Sequence, residues 1–254
     1  MAMNDAPRVA WLTSDELAAL VKGAEPVVVM IPVGAIEPHG PHLPLDTDVI
    51  ISRAAAARAV ERLSVAGLRA FLAPEVSYGV TDCAAGFTGA AGVSAQALDD
   101  YLSAVIAGWL GNGIAHVCVV SNHLEPAHEQ TLRGVVSRFP ALRASAATPL
   151  ARRWARTLSD EFKRGACHAG EYETSIVLAA DPDAVRTTLA AQLPEVNVSL
   201  SEMLRAGKTR FTEMGLERAY AGAPARASAA HGREMIDRLG EMVAGEILEA
   251  MGRG

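Results

Sequence analysis

The sequence predicts an α/β protein, a three-layer α/β/α sandwich built around a mainly parallel central sheet. Segments with strand and helix character alternate along the chain, which is typical of this class. The strand-like runs, such as 27–31 and 117–120, are unbroken and rich in β-branched residues, as expected of strands covered on both faces. Half of the 254 residues are hydrophobic, and no linker divides them. We therefore expect a single domain over residues 1–254.

The first half of the chain supplies three predicted strands and the helices that connect them. Residues Ser14-Asp-Glu carry helix-start chemistry, and a strand follows at 27–33. An alanine-rich helix is expected from near Asp48, and a strand near 70–76. A long helix should run from Ser94 to Leu110, where Gly111-Asn-Gly113 ends it before a strand at 116–121.

The second half continues the alternation with less regular patterns. We predict a helix from Pro126, a strand around 142–147, a helix near 149–162, a helix from Glu171 and a terminal helix from about Ser228 to Met251. The segment 193–223 has mixed polarity and little periodicity, so no element is assigned there. This order predicts parallel strands with right-handed connections.

Two short segments place metal-type ligands directly behind predicted strands. Glu37-Pro-His39 and Asp48 follow the strand at 27–33, and His123-Leu-Glu125 follows the strand at 116–121. Side chains two residues apart on extended backbone share a face. Functional groups of open α/β sheets gather outside the carboxyl ends of the strands. Both loops are therefore expected to point at one site.

The residue types in these segments indicate a metal centre. Carboxylate oxygen and imidazole nitrogen suit Zn²⁺, Mn²⁺ or Fe²⁺. Five such groups, with an aspartate able to bridge, could hold two ions roughly 3.5–4 Å apart, an arrangement typical of hydrolases. Either pair alone is common on protein surfaces, so the prediction depends on their joint placement.

A third cluster, His168-Ala-Gly-Glu171-Tyr-Glu173-Thr-Ser175, precedes an apolar run and should begin a helix. Glu171 and Glu173 would favour the positive N-terminal end of that helix. Helix-start chemistry suffices to explain Glu171.

The run from Gly34 to Asp48 resembles the leading signature of the creatininase family. Further matches lie at Ser77–Gly79, Phe87–Gly89, Asn122-His123, His168–Ser175 and Gly222–Pro224, so that the resemblance covers nearly all of residues 10–250. It implies a dinuclear metal amidohydrolase that cleaves small cyclic or linear amides, and a homo-oligomer, often a hexamer.

The resemblance also implies roles for individual residues. Glu37, His39, Asp48 and His123 are similar to the family's metal ligands, with Asp48 bridging the two ions. Glu125 resembles a fifth ligand found in the creatinine-cleaving branch. His168 is similar to a group that meets the substrate or shuttles protons, and Glu173 to a carboxylate beside the metals.

Arg164 stands where the creatinine-cleaving branch has a pocket tryptophan. In the pocket, it would favour a carboxylate or phosphate on the substrate through its bidentate fork; otherwise it is a solvated surface residue. Trp154 lies nearby in sequence without a clear equivalent.

The leading functional hypothesis is hydrolysis of a C–N bond in a small cyclic or linear amide by a metal-bound hydroxide. Two divalent ions, Zn²⁺ or Mn²⁺ with Fe²⁺ as an alternative, would be the cofactors, and His168 or Glu173 would move the proton. Two alternatives remain open: a peptidase of a modified peptide precursor, and a non-catalytic metal-binding or assembly protein of the same fold.

Composition excludes several other classes. A net charge of −6 offers no basic footprint for nucleic acid. The sequence has neither an eighteen-residue apolar run nor a cationic leader, and its three scattered cysteines suit a reducing compartment, so we expect a cytoplasmic protein without membrane contact. Among the remaining histidines, His42 is predicted to orient a ligand, and His116, His128 and His231 to be structural or surface residues.

Overall fold

Four parallel strands form the central sheet, which confirms the predicted fold class. The computed structural model describes residues 6–254. Its strands are β1 (Val27–Val33), β2 (Arg69–Leu72), β3 (His116–Ser121) and β4 (Ala144–Ala147), in the spatial order β2-β1-β3-β4. Every residue of β1 and β3 is buried, as the apolar runs at 27–31 and 117–120 predict for central strands.

Helices cover both faces of the sheet. On one face lie α2 (Thr47–Val65), α7 (Glu171–Ala180) and α10 (Ala229–Ala250), which share a core with Val28 and Met30. On the other lie α1 (Ser14–Val21), α3 (Ala95–Gly111) and α4 (Pro126–Ser137), which pack with Val27, Val29 and Ile31. The alternation of β1 side chains between two cores produces the three layers.

The helix-start signals of the sequence act as expected. Thr13 caps α1 in a capping box with Glu16, and the Ser94 and Ser228 hydroxyls cap α3 and α10. Each cap satisfies a backbone N–H that has no partner inside its helix. The predicted strands at 70–76 and 142–147 are shorter, at Arg69–Leu72 and Ala144–Ala147.

The prediction of a single helix at 149–162 is wrong. The segment forms two short helices, α5 (Arg152–Ala155) and α6 (Asp160–Arg164). The Thr157 N–H bonds to the Trp154 carbonyl, and the Ser159 hydroxyl accepts from the Phe162 N–H. A serine that caps a new helix ends the hydrogen-bond ladder of the preceding one.

Two further short helices, α8 (Thr187–Ala190) and α9 (Leu200–Arg205), lie in or near the segment without periodicity. Residues between Val196 and Ala221 pack with Cys83 and Ala84 in a small cluster of their own. This cluster stands beside the carboxyl edge of the sheet and contributes to the cavity described below.

Within residues 6–254, no helix combines the length and the apolarity that crossing a membrane requires. The three cysteines are free and buried.

Candidate metal centre

The loops after β1 and β3 meet at one end of the sheet. These strands are neighbours, and their register pairs Val33 with Ser121, so both chains leave the sheet at the same level. A Cβ at Gly34 would lie 2.7 Å from the Val49 nitrogen and 2.8 Å from the Asp48 Cβ. Only glycine allows α2 to begin this close to the end of β1.

Four of the predicted ligands and Glu173 form two sets of three donors that share one aspartate, and a third group joins Glu37, His39 and His168. In each set the donor atoms lie within 4.8 Å of one another. One set is Glu37, Asp48 and His123; the other is His39, Asp48 and Glu173. Asp48 Oδ2 lies 2.9 Å from His123 Nδ1, and Asp48 Oδ1 lies 3.3 Å from His39 Nε2. The two oxygens of Asp48 thus face different histidines, as a bridging carboxylate requires.

Backbone carbonyls fix which nitrogen each of these histidines presents. His39 Nδ1 lies 3.1 Å from the Glu37 carbonyl oxygen, and His123 Nε2 lies 2.7 Å from the Val80 carbonyl oxygen. A carbonyl only accepts, so the nitrogen facing it carries the proton. When neutral, each ring turns its unprotonated nitrogen towards the carboxylates, which is the form that binds a metal.

The cluster concentrates negative charge in a buried place. Glu37, Asp48 and Glu173 are each at most 2% exposed. Burial raises the pKa of Glu173 to about 8, with the charges of Asp48 and Glu37 adding to the effect and His39 opposing it. Burial disfavours charge on His39, yet Asp48, Glu173 and Glu37 together raise its pKa to about 10. The raised pKa of His39 shows that the surrounding carboxylates favour positive charge at this place.

The donor set fits a pair of divalent cations. His39 Nε2 and Asp48 Oδ2 are buried without a hydrogen-bond partner among the described residues, and isolated buried polar atoms are costly. Coordination would satisfy both atoms and neutralise the surrounding carboxylates. Mixed oxygen and nitrogen donors of this kind suit zinc and manganese.

Neighbouring groups hold the two outer carboxylates in place. The Thr81 hydroxyl donates to Glu37 Oε2, and the Ala169 N–H donates to Glu173 Oε2 over 2.6 Å. Ala169 has a φ of 52°, a left-handed conformation that costs a non-glycine residue roughly 1–2 kcal/mol. This strained turn brings the N–H of Ala169 onto Glu173.

Glu125 lies in the same cavity but outside both donor sets. Its Oε1 accepts from the Asp82 N–H at 2.9 Å and its Oε2 from the Cys83 N–H at 3.0 Å. The carboxylate thereby fixes the loop that carries Thr81. Its role as a fifth ligand remains a prediction, while Glu173 lies in the second donor set.

His168 lies against the cluster with one nitrogen free. Its Nε2 donates to the Pro38 carbonyl over 3.0 Å, and its Nδ1 lies 3.9 Å from Glu37 Oε1. The ring packs between His39 and Phe211, with centroid distances of 4.5 and 4.4 Å. Burial and the nearby His39 lower the pKa of His168 to about 4. The side chain is therefore neutral near pH 7, with an unprotonated Nδ1 on the side of Glu37.

His128, predicted to be structural or on the surface, is fully buried and supports His123. Its Nδ1 accepts from the Val80 N–H at 3.3 Å, and its Nε2 donates to the Ser121 hydroxyl at 3.2 Å. His128 thus holds the residue whose carbonyl accepts from His123. The spacing of the sequence carries no signal for this contact, because residue 80 lies in a loop remote from residue 128.

The other histidines have structural partners. His42 Nε2 lies 2.8 Å from the Thr174 hydroxyl, so it joins the first motif to α7 beside Glu173. This hydrogen bond involves none of the predicted ligands, although His42 was predicted to orient one. His116 bridges the Leu142 carbonyl and the Ser145 hydroxyl. His231 lies 3.2 Å from Glu171, which holds the start of α7 against α10.

A cavity of about 440 Å³ opens onto the cluster. Its lining includes Arg152, Arg156 and Lys163, and Arg164 is not part of it. Trp154 is also outside the lining: its Nε1 donates to Glu246 Oε1 over 2.5 Å, which ties α5 to α10. The interpretation of Arg164 as a pocket residue is thus not supported. Three other cationic side chains line the cavity instead.

The fold and the paired donor sets agree with the comparison to protein families. A family model described as "Creatininase: Creatinine amidohydrolase" matches residues 10–247. The chain belongs to the creatininase family.

Two relatives at 30% identity or more are named for a peptidase activity. The chain is 32% identical over 228 residues to a "Mycofactocin precursor peptide peptidase" of Mycobacterium ulcerans (strain Agy99), covering 82% of this chain and 81% of the relative. It is 30% identical over 236 residues to the protein of the same name from Mycolicibacterium smegmatis (strain ATCC 700084 / mc(2)155), covering 92% and 86%.

Solved creatininases share the fold at lower identity. "Crystal structure of creatinine amidohydrolase (creatininase)" superposes with a TM-score of 0.71 at 19% identity, covering 97% of this chain and 98% of that one. "Creatininase Mn" gives 0.70 at 20% identity, covering 97% and 99%.

Proposed function

We propose that this creatininase-family hydrolase is a dinuclear metal amidohydrolase that cleaves a C–N amide bond in a small cyclic or linear substrate. The observation that carries the proposal is the sharing of Asp48 between two donor sets, each of which contains a histidine with a fixed tautomer. Such sharing is the arrangement expected of two ions acting on one substrate.

Glu37, Asp48 and His123 would hold one ion, and His39, Asp48 and Glu173 the other. When bound, zinc or manganese supplies a Lewis acid for the amide carbonyl and lowers the pKa of water towards neutrality. Thr81, Ala169 and the Val80 carbonyl keep the ligands oriented, because each bonds to a ligand side chain.

His168 is proposed to move the proton. A leaving amide nitrogen must be protonated before the C–N bond breaks. The hydrogen bond to Pro38 keeps the proton on Nε2, so Nδ1 is the atom that accepts a proton and later donates it. The lowered pKa keeps this nitrogen free near neutral pH.

A peptidase function is the second candidate, because the two relatives described above, at 32% and 30% identity, are named for a peptide precursor. The reaction would be the same amide hydrolysis on a longer substrate. Homo-oligomerisation, with a hexamer as the expected form, is part of the proposal and is measurable by light scattering.

The test is a hydrolysis screen of zinc- or manganese-loaded protein against lactams, formamides and short peptides. Asp48→Ala should abolish hydrolysis and bound metal together, because it removes a ligand of both sets. Asp46→Ala is the matched control: it removes the same charge two residues away, outside both sets. A metal-replete protein inert towards every amide class would favour the non-catalytic alternative, and cleavage of peptides alone would favour the peptidase.

A further inference from the structure

The cavity above the candidate metal centre carries an unusual arrangement of cations. Arg152 and Arg156 are both exposed lining residues at its mouth. They stand four residues apart on α5 and its C-cap, where Arg156 keeps helical backbone angles (φ −71°, ψ −18°), so both project from one side of the helix. A pair of guanidinium groups thus shares one edge of the cavity.

These two arginines have no acidic partner, unlike their neighbours. Arg153 between them bonds to Glu246 and Glu249, and Lys163 lies 3.1 Å from Asp160. Among the residues that the structure describes, neither Arg152 nor Arg156 forms a salt bridge. Their donors are therefore available to a ligand in the cavity.

Apolar side chains make up much of the remaining cavity lining. Phe162, Phe211 and Met214 line it as buried side chains, and Leu124 and Leu204 line it as half-buried ones. The cavity thus combines buried carboxylates and histidines, an apolar wall and exposed cationic side chains. At about 440 Å³ it lies within the range of roughly 300–1,000 Å³ usual for small-ligand sites.

We propose that this cavity selects substrates in which an apolar group next to the scissile amide carries a free carboxylate, which Arg152 and Arg156 bind at the mouth. The inference rests on the proposed amidohydrolase function for the position of the amide. Arginine binds carboxylates through paired, charge-assisted hydrogen bonds, which gives the mouth both affinity and direction. The apolar wall accommodates the body of the substrate by burying it from water.

A binding assay that does not depend on turnover can test this assignment. Zinc-loaded protein is titrated by calorimetry with N-acetyl-L-leucine and with N-acetyl-L-leucinamide, which differ only in the charged end. We expect the carboxylate to bind about tenfold more tightly, corresponding to about 1.4 kcal/mol. In the double variant Arg152→Met and Arg156→Met this preference should fall to about unity, while the single variant Arg164→Met, which removes one positive charge outside the lining, should retain it.

Several results would overturn the proposal. A preference that survives in the double variant would place the carboxylate elsewhere, for instance on the metals, and a wild-type protein without preference would remove the site altogether. If Arg164→Met loses the preference for the carboxylate to the same extent, the preference reflects the overall charge of the protein. Tighter binding of the phosphonate analogue of the same probe would reassign the mouth to phosphorylated substrates.

Selective binding without hydrolysis of any amide would leave the arginine site intact and contradict only the proposed function.

Discussion

At the scale of single residues, the centre depends on side chains whose orientation is imposed by backbone groups. The carbonyls of Glu37, Val80 and Pro38 each accept from one histidine and so select the nitrogen that faces the carboxylates. The histidines are therefore oriented by the backbone of the fold.

His168 offers the most direct test of proton transfer. His168→Ala should lower hydrolysis by about 10²–10⁴-fold, the usual contribution of a general acid or base, and leave two metal ions bound. Activity assays with elemental analysis measure both. His231→Ala, a partly exposed histidine bonded to Glu171, is the control and should leave activity unchanged. Loss of an ion together with activity would instead make His168 a ligand, because it also lies in a donor group with Glu37 and His39.

The two glutamates near the cluster can be distinguished by metal content. Glu173→Gln should reduce the protein from two ions to one per chain, because it removes a donor from the set that contains His39. Glu125→Gln should retain both ions, since its carboxylate accepts backbone N–H groups of residues 82 and 83. Elemental analysis of both variants decides the matter, and the reverse pattern would make Glu125 the ligand that the sequence predicts.

His128 acts through Val80 and is expected to be a positioning residue. His128→Ala should weaken metal binding by about 10–100-fold, the usual cost of losing a supporting contact. His128→Gln should recover part of the affinity, because its amide oxygen can accept the Val80 N–H. Metal titration followed spectroscopically measures the change. A purely structural role would lower the melting temperature of both variants and leave metal affinity unaltered.

At the scale of elements, the site lies where close helix contacts bring remote segments together. Helix α7, which carries Glu173, contacts both α2, which carries Asp48, and α10. The closest approach is at Gly232 of α10, where an added Cβ would overlap the Ser175 carbonyl of α7. The position of Glu173 relative to Asp48 therefore depends on a contact made far along the chain.

Gly232→Ala should be strongly unfavourable, whereas an exposed helix glycine should accept the same change. The overlap with α7 should cost about 1–3 kcal/mol, lowering the melting temperature by several degrees at about 2–4 °C per kcal/mol. Gly134→Ala in α4, where nothing lies within 4 Å of the new Cβ, should instead stabilise by about 1 kcal/mol. Thermal unfolding of both variants measures the contrast, and equal effects would refute close packing at Gly232.

At the scale of the whole molecule, the candidate centre is a concentration of buried negative charge that the fold tolerates at a cost. Glu37, Asp48 and Glu173 are removed from water together with His39 and His123. Uncompensated charges in such surroundings oppose folding. Cations bound to the folded chain alone would offset this cost and make stability depend on metal concentration.

Chelation should therefore lower the melting temperature, and added zinc or manganese should restore it. Free metal at about 100 times its dissociation constant contributes about 2.7 kcal/mol per site. Calorimetry with and without chelator measures the shift. Asp48→Ala should melt at one temperature under both conditions, because it lacks the shared ligand; a metal-dependent shift in that variant would place the ions elsewhere.

Much of this architecture could be predicted from local patterns. The unbroken apolar runs of β1 and β3 and the caps at Thr13, Ser94 and Ser228 depend on neighbouring residues, so their signals lie within a short window. The break between α5 and α6 was missed because a capping serine competes with an otherwise helical pattern. The cavity wall from 196 to 221 was unreadable because its apolar residues pack on a distant loop and follow no period.

The sequence by itself determined the fold class, the family signature and the loops that carry the candidate ligands, since these are written in contiguous residues. Tertiary structure decided which donors meet. It grouped Glu173 with His39 and Asp48, turned Glu125 onto backbone N–H groups, buried His128 beneath His123 and brought Arg152 and Arg156 to the cavity in place of Arg164. The physical reason is that coordination, burial and charge pairing depend on distances across the fold, and residues far apart in the chain acquire those distances only when the sheet and its helices pack.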